Sequence, residues 1–131
     1  MLSTQSPILY IVESDQKGRA VFTATDITKG SIIEICPIII LSEVDTQRIH
    51  STKLHDYYFQ WDAEQKTSAI ALGYGSLYNH SEKPNADFEL VKGDNEIHIF
   101  AIKDIAAGEE VLIDYLVGDK GGGKLWFSPK E

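Results

Sequence analysis

Twenty acidic against twelve basic side chains give this 131-residue chain a formal charge of −8, which argues against nucleic acid as a direct ligand and suits a basic polypeptide instead. The length fits one domain, and with 43% hydrophobic residues that domain can bury roughly two thirds of its unfolded surface. No apolar run approaches the ~20 residues of a membrane span, no basic-then-apolar leader opens the chain, and the lone Cys36 reads as a small buried side chain in a reducing compartment.

In chain order, Met1 to Pro7 is polar and expected to be loosely held. Ile8 to Val12 is β-branched and aromatic and predicts a first strand; Glu13 to Arg19 is a turn, and Ala20 to Ala24 a second strand. Next comes Asp26-Ile27-Thr28-Lys29-Gly30, and far downstream Asp104-Ile105-Ala106-Ala107-Gly108 echoes it. Each echo predicts a tight turn in which Gly supplies an unusual backbone angle and feeds a strand of period two. Pro37 interrupts Ile32 to Leu41, so that run is expected to be an edge strand or two strands with a kink. Ser42 to Ile49 predicts a short helix with Ser42 as N-cap and Asp45 three positions on.

The second half of Leu54 to Trp61, dense in aromatics, predicts another strand. Ala69 to Leu72 is a short buried strand or a single turn. Ala86 to Lys92 and Glu96 to Ile102 alternate apolar and polar residues around Gly93-Asp94-Asn95 and predict a hairpin. Asp104, Glu109 and Glu110 read as a solvated turn. Gly121 to Gly123 reads as a flexible link to the aromatic Leu125-Trp126-Phe127. The chain is strand-rich and lacks βαβ units, which excludes a Rossmann-type architecture, and it carries no Gly-x-Gly-x-x-Gly between a strand and a helix. His50, His55, His80 and His98 form no metal-ligand spacing, and one cysteine cannot build a Cys-ligated zinc site.

Between Gly73 and Asn85 the pattern breaks. Gly-Tyr-Gly-Ser-Leu-Tyr-Asn-His-Ser-Glu-Lys-Pro-Asn is irregular backbone rich in donors and acceptors, inside an otherwise strand-like chain, which is where ligand sites form.

Asn79-His80-Ser81, Pro84-Asn85 and Gly108-Glu109-Glu110-Val111-Leu112-Ile113-Asp114-Tyr115, with Lys17-Gly18-Arg19-Ala20-Val21-Phe22 upstream, resemble in order and separation the signature motifs of SET-domain protein-lysine methyltransferases. The resemblance spans roughly Ile8 to Tyr115 and departs from the family's pattern in having Glu82 where a zinc-binding Cys is common and Ala20 where a second Gly is common. It implies a mainly β SET fold of several small curved sheets and short helices. It also implies a knot-like passage of the C-terminal strand beneath the Asn79 segment, with a core of 8–115 and a tail of 116–131 that contributes to the site. It further implies transfer of a methyl group from S-adenosylmethionine to a lysine ε-amine of a basic protein such as a histone.

On the same resemblance Tyr115 is the main catalytic side chain. Lys17, Gly18, Ala20, Asn79 and His80 hold the cofactor, with Trp126 as a lid. Tyr57, Tyr58 and Tyr78 are candidates for the lysine channel, since aromatic walls suit the aliphatic stem and a methylated ammonium. A homodimer is one way for so small a chain to complete a substrate groove. The setting expected from composition is cytoplasmic, or chromatin for a viral or eukaryotic chain. Two other readings compete: a catalytically silent module that binds a peptide or partner, and methyl transfer to a small amine or a non-lysine residue.

Overall fold

A computed structural model describes residues 7–15 and 18–115. The first hairpin pairs β1 (Leu9–Ser14) with β2 (Gly18–Thr23), and Gly18 opens β2 with a positive φ of 73°, which glycine adopts without strain. Ala24 N–H bonds to Ile8 C=O, so alternation along the antiparallel ladder makes Val12–Ala20 a hydrogen-bonded pair. The backbone of Arg19, Val21 and Thr23 is thereby turned the other way, toward the C-terminal part of the chain.

β3 (Ile32–Leu41) is central in a five-stranded sheet of order β4-β5-β3-β8-β7, built with β4 (Tyr58–Asp62), β5 (Thr67–Ala71), β7 (Ala86–Val91) and β8 (Glu96–Ala101). The run expected to be an edge strand or two strands with a kink is therefore one continuous central strand. Proline is tolerated because the strand changes partner there: Ile32 to Pro37 pairs with β8, and Ile38 to Leu41 pairs with β5. At that handover Pro37 contributes its carbonyl, which accepts from Leu72 N–H at 2.9 Å, and its missing N–H removes only the reciprocal bond at the very end of the β5 ladder.

The β7–β8 hairpin forms where predicted, with Asn95 at φ 54° in its turn. Helix α1 (Glu43–His50) starts at Ser42, whose Oγ accepts from Asp45 N–H at 3.1 Å. A 3-10 turn over Lys53–Asp56 then leads into β4. Phe59 and Phe88 meet edge-on at 5.0 Å in the core, where Val21, Ile97, Ile99, Ile105, Val111 and Ile113 are also buried.

The two Asp-Ile-x-x-Gly turns face each other. Ile27 and Ile105 exchange both backbone hydrogen bonds, at 2.7 and 2.8 Å. Asp26 Oδ1 accepts from Ala107 N–H at 2.9 Å, and Asp104 Oδ1 accepts from Lys29 N–H at 2.8 Å. Gly30 N–H reaches Ala101 C=O and Gly108 N–H reaches Thr23 C=O, with φ of 89° and 91° at the two glycines. The echo in sequence is thus a local two-fold relation in space, each turn capping the other.

Beyond Gly108 the chain runs between two neighbours. On one side Glu109 C=O accepts from Thr23 N–H and Val111 N–H donates to Val21 C=O. On the other, β9 (Leu112–Ile113) pairs in parallel with β6 (Asn79–His80). Gly30→Ala and Gly108→Ala should each lower stability by about 1–2 kcal/mol from backbone strain alone, because an added Cβ meets nothing within 4 Å at either position. Urea unfolding midpoints measure this, and matched losses at the two sites are the expected result.

Candidate active site

Asn85 fixes the strand that carries Tyr115. Its Nδ2 donates to Glu110 C=O at 2.8 Å while its Oδ1 accepts from Leu112 N–H at 2.8 Å, so the side chain acts as a further strand beside residues 110–112. Asn85 N–H adds a third bond, to Leu112 C=O at 3.2 Å.

Asn79 is held from two directions. Its Nδ2 donates to Arg19 C=O at 3.0 Å and to Glu110 Oε2 at 2.9 Å, joining β2 to the C-terminal strand. Both amide hydrogens are thereby used within the protein, and among the described residues no donor reaches its Oδ1. Glu110, expected on a solvated turn, is half-buried and serves as an acceptor in the site. The same parity that pairs Ala20 with Val12 corrects its expected role: its Cβ is buried and its backbone belongs to β1, so Arg19, through its carbonyl, is the β2 residue that meets the site.

Ser81 N–H donates to Ile113 C=O at 2.9 Å; in a parallel pair this leaves the backbone N–H and C=O of His80 pointing away from β9. The His80 ring is 3% exposed and its Nδ1 accepts from Tyr115 N–H at 3.1 Å. A nitrogen that accepts carries no proton, so the nearby Asp114 Oδ1 at 3.7 Å is a neighbour and not an ion-pair partner. The remaining Nε2 is buried and finds no hydrogen-bond partner among the described residues.

Tyr115 closes the arrangement. Its ring lies 5.1 Å from that of His80, and its hydroxyl donates to Tyr78 C=O at 2.6 Å. Burial first, and then Asp56, Tyr57 and Glu110, push its phenol well above the ordinary tyrosine value, so the group stays neutral. The same neighbours place two carboxylates and a second phenol around it, a setting that favours a cationic visitor.

The sequence-predicted residues Asn79, His80 and Tyr115 are thus brought together, with Gly18 at the end of the β2 hairpin and Tyr57 within electrostatic reach of Tyr115. Tyr58 and Tyr78 sit otherwise than expected. Tyr58 is 1% exposed and its hydroxyl is paired with His50 Nδ1 at 2.7 Å, making it a core residue beside α1. The Tyr78 ring is fully buried with its hydroxyl on Glu34, so Tyr78 enters the site through its carbonyl. Lys17 and Trp126 lie outside the described residues. Among the described residues, no three His, Cys, Asp or Glu side chains gather as metal ligands.

Comparison with known proteins agrees with this geometry. The SET domain family profile matches residues 18–116. Over 120 residues the chain is 32% identical to the H3 lysine-37-specific histone-lysine N-methyltransferase of Schizosaccharomyces pombe, which covers 91% of this chain and 76% of that protein. It is also 32% identical over 128 residues to the human H3 lysine-36-specific histone-lysine N-methyltransferase, covering 92% of this chain but 5% of that longer protein. A Plasmodium falciparum protein solved as a candidate histone methyltransferase superposes with a TM-score of 0.72 at 32% identity, over 95% of this chain and all of the other.

Replacing Asn85 with Ala should cost about 2–3 kcal/mol, since it removes two hydrogen bonds and leaves a carbonyl and an N–H without partners. Thermal and urea unfolding would show that loss as a cooperative shift. By sequence, fold and the residues gathered at its site, the chain belongs to the SET-domain family.

Proposed function

We propose that this SET domain transfers a methyl group from S-adenosylmethionine to the ε-amine of a lysine in a histone or similarly basic protein. The observation that carries the reading is the convergence of the Tyr115 hydroxyl on the Tyr78 carbonyl, beside the outward-facing backbone of His80.

The residues present fit the cofactor. His80 offers a backbone N–H and C=O on the face away from β9, as an adenine edge requires, and Asn79 Oδ1 suits the amino group of the methionine end. The added-Cβ position at Gly18 is open space, although its N–H and C=O, like those of Ala20, turn toward β1 and leave bulk clearance as its contribution. When bound, S-adenosylmethionine supplies an electrophilic methyl on a sulfonium centre. The protein's part is alignment, which for well-oriented reactants is worth up to roughly 7–11 kcal/mol.

A lysine amine must enter neutral, against an ordinary pKa near 10.4. A desolvated position beside Tyr115 disfavours the ammonium, and Tyr57, whose phenol acts on Tyr115 electrostatically, is the aromatic we assign to the aliphatic stem. The Tyr115 hydroxyl keeps its proton on the Tyr78 carbonyl, so its oxygen presents lone pairs to the reacting centre without charging. Asp56 and Glu110 attract a lysine side chain to this point. Of the two settings expected, cytoplasm and chromatin, the histone-directed names of the relatives support chromatin. A second copy completing the substrate groove of so small a chain remains part of the proposal.

The silent-module reading fits less well, because a binding module has no chemical need for a neutral phenol held on a carbonyl next to that backbone. Tyr115→Phe should remove most methyl transfer and leave cofactor affinity within a few-fold. Isothermal titration alongside turnover on a histone panel, with labelled cofactor and mass spectrometry of the product, checks both halves. Unchanged turnover would remove Tyr115 from its role, and label on another acceptor would redirect the substrate class. By the same titration Asn79→Ala should weaken cofactor binding about tenfold or more; native affinity would overturn its assignment.

A further inference from the structure

The carbonyl that orients Tyr115 belongs to a residue whose other end is fixed elsewhere. Tyr78 is fully buried, and its hydroxyl donates to Glu34 Oε1 at 2.6 Å, a charge-assisted bond. Glu34 lies on β3, and its second oxygen, Oε2, accepts from Tyr74 N–H at 2.9 Å. Cys36, two residues on and so on the same face of β3, is fully buried. Burial and Glu34 together hold both the Cys36 thiol and the Tyr78 phenol far above their ordinary pKa, so both stay protonated and the Tyr78 hydroxyl remains a donor.

Two glycines admit this cluster. A Cβ at Gly73, where φ is 69°, would collide with the Glu34 carboxylate. A Cβ at Gly75 would stand 2.6 Å from Ala71 Cβ and 2.7 Å from Cys36 Sγ. The Gly-Tyr-Gly opening of the irregular segment is therefore shaped to seat one carboxylate and one thiol of β3. Glu34 receives donors from Tyr74 at the start of that segment and from Tyr78 at its end.

We infer that Glu34 is a positioning residue for methyl transfer: by fixing both ends of the Tyr74–Tyr78 segment it sets where the Tyr78 carbonyl stands, and through that carbonyl the orientation of the Tyr115 hydroxyl. The inference rests on the reading of Tyr115 as catalytic. Its chain of contacts is short and continuous: Glu34 to the Tyr78 hydroxyl, the Tyr78 ring to its own carbonyl, and that carbonyl to Tyr115. Burial holds the Tyr78 side chain in one rotamer, so a restraint at its hydroxyl is felt at its main chain, and loss of that bond loosens the carbonyl. Misplacement by an ångström is enough to slow an aligned displacement by roughly tenfold to a hundredfold.

The test uses the full chain with Tyr78→Phe, which keeps the carbonyl and deletes only the hydroxyl, and Glu34→Gln, which keeps the shape and deletes the charge. Each should lower kcat roughly tenfold or more while cofactor affinity and the KM for the lysine substrate stay within about twofold. In protein labelled with ¹³Cζ-tyrosine, the Tyr115 resonance, assigned by its absence in Tyr115→Phe, should move in both variants. A purely structural role would lower the melting temperature and leave that resonance and kcat in place, and this result would overturn the inference. Should Glu34→Gln fail to fold, Tyr78→Phe carries the same test without touching β3. If Tyr115→Phe is inactive while Tyr78→Phe turns over normally, the positioning role fails and the catalytic reading survives; if Tyr115→Phe itself turns over normally, the catalytic reading fails first.

Discussion

Two turns that cap each other hold the ends of this fold together. Asp26 and Asp104 each reach across to the N–H of the opposite turn, spanning 81 and 75 residues of sequence, and Ile27 and Ile105 close the space between them with a doubly bonded bridge. Closing so long a loop costs conformational entropy that grows only slowly with length, so a compact set of several hydrogen bonds and two buried isoleucines offsets it. The energy at stake is modest. The positional consequence is large: once the turns engage, the segment after Gly108 must leave along β2, because Thr23 and Val21 already supply its partners.

From that constraint the site follows by successive placement. The C-terminal strand, fixed on one side by β2, is fixed on the other by Asn85 and by the parallel pairing with Asn79 and His80. Asn79 then ties both sides at once through Arg19 and Glu110. Little of this depends on long hydrophobic contact. It depends on part-buried polar groups that find their partners, an arrangement that is unforgiving because a single lost partner leaves another group desolvated and unpaired. Such a network specifies one geometry more sharply than apolar packing does, and an in-line methyl transfer requires that.

The parts of this that the sequence displays are those with a local signal. Asn79, His80 and Tyr115 stand in spaced motifs, Ser42 is followed by a helical pattern, and Gly93-Asp94-Asn95 sits between alternating runs, so each could be read in place. What the sequence conceals is direction. Ala20 and Arg19 are neighbours, yet the ladder gives one backbone to β1 and the other to the site, and no composition reveals that parity. Tyr57, Tyr58 and Tyr78 are all aromatic, but Tyr58 turns to His50 and Tyr78 to Glu34. Pro37 signalled a break, and the break is real as a change of partner within one strand. Glu34 was missed because a charged residue in an alternating strand ordinarily faces water. The available hint was its parity with Cys36, an interior residue two positions on.

The buried groups of the site share one chemical choice, which is to stay uncharged near the reacting centre and to keep charge one step removed. Tyr115 and Tyr78 are phenols whose ionisation is opposed by burial and by neighbouring carboxylates, and the thiol of Cys36 is opposed in the same way. The carboxylates themselves are occupied with donors: Glu110 with Asn79, and Glu34 with Tyr74 and Tyr78. A sulfonium donor and a lysine bring positive charge with them, and an enzyme for that pair gains little from an anionic base that would bind the ammonium in its unreactive form. Carboxylates held at a distance can attract the cation, and a neutral hydroxyl at the centre can orient it after it has lost its proton. Division of labour between remote charge and central dipole explains why so acidic a chain places a phenol, and not a carboxylate, at the point where its strands converge.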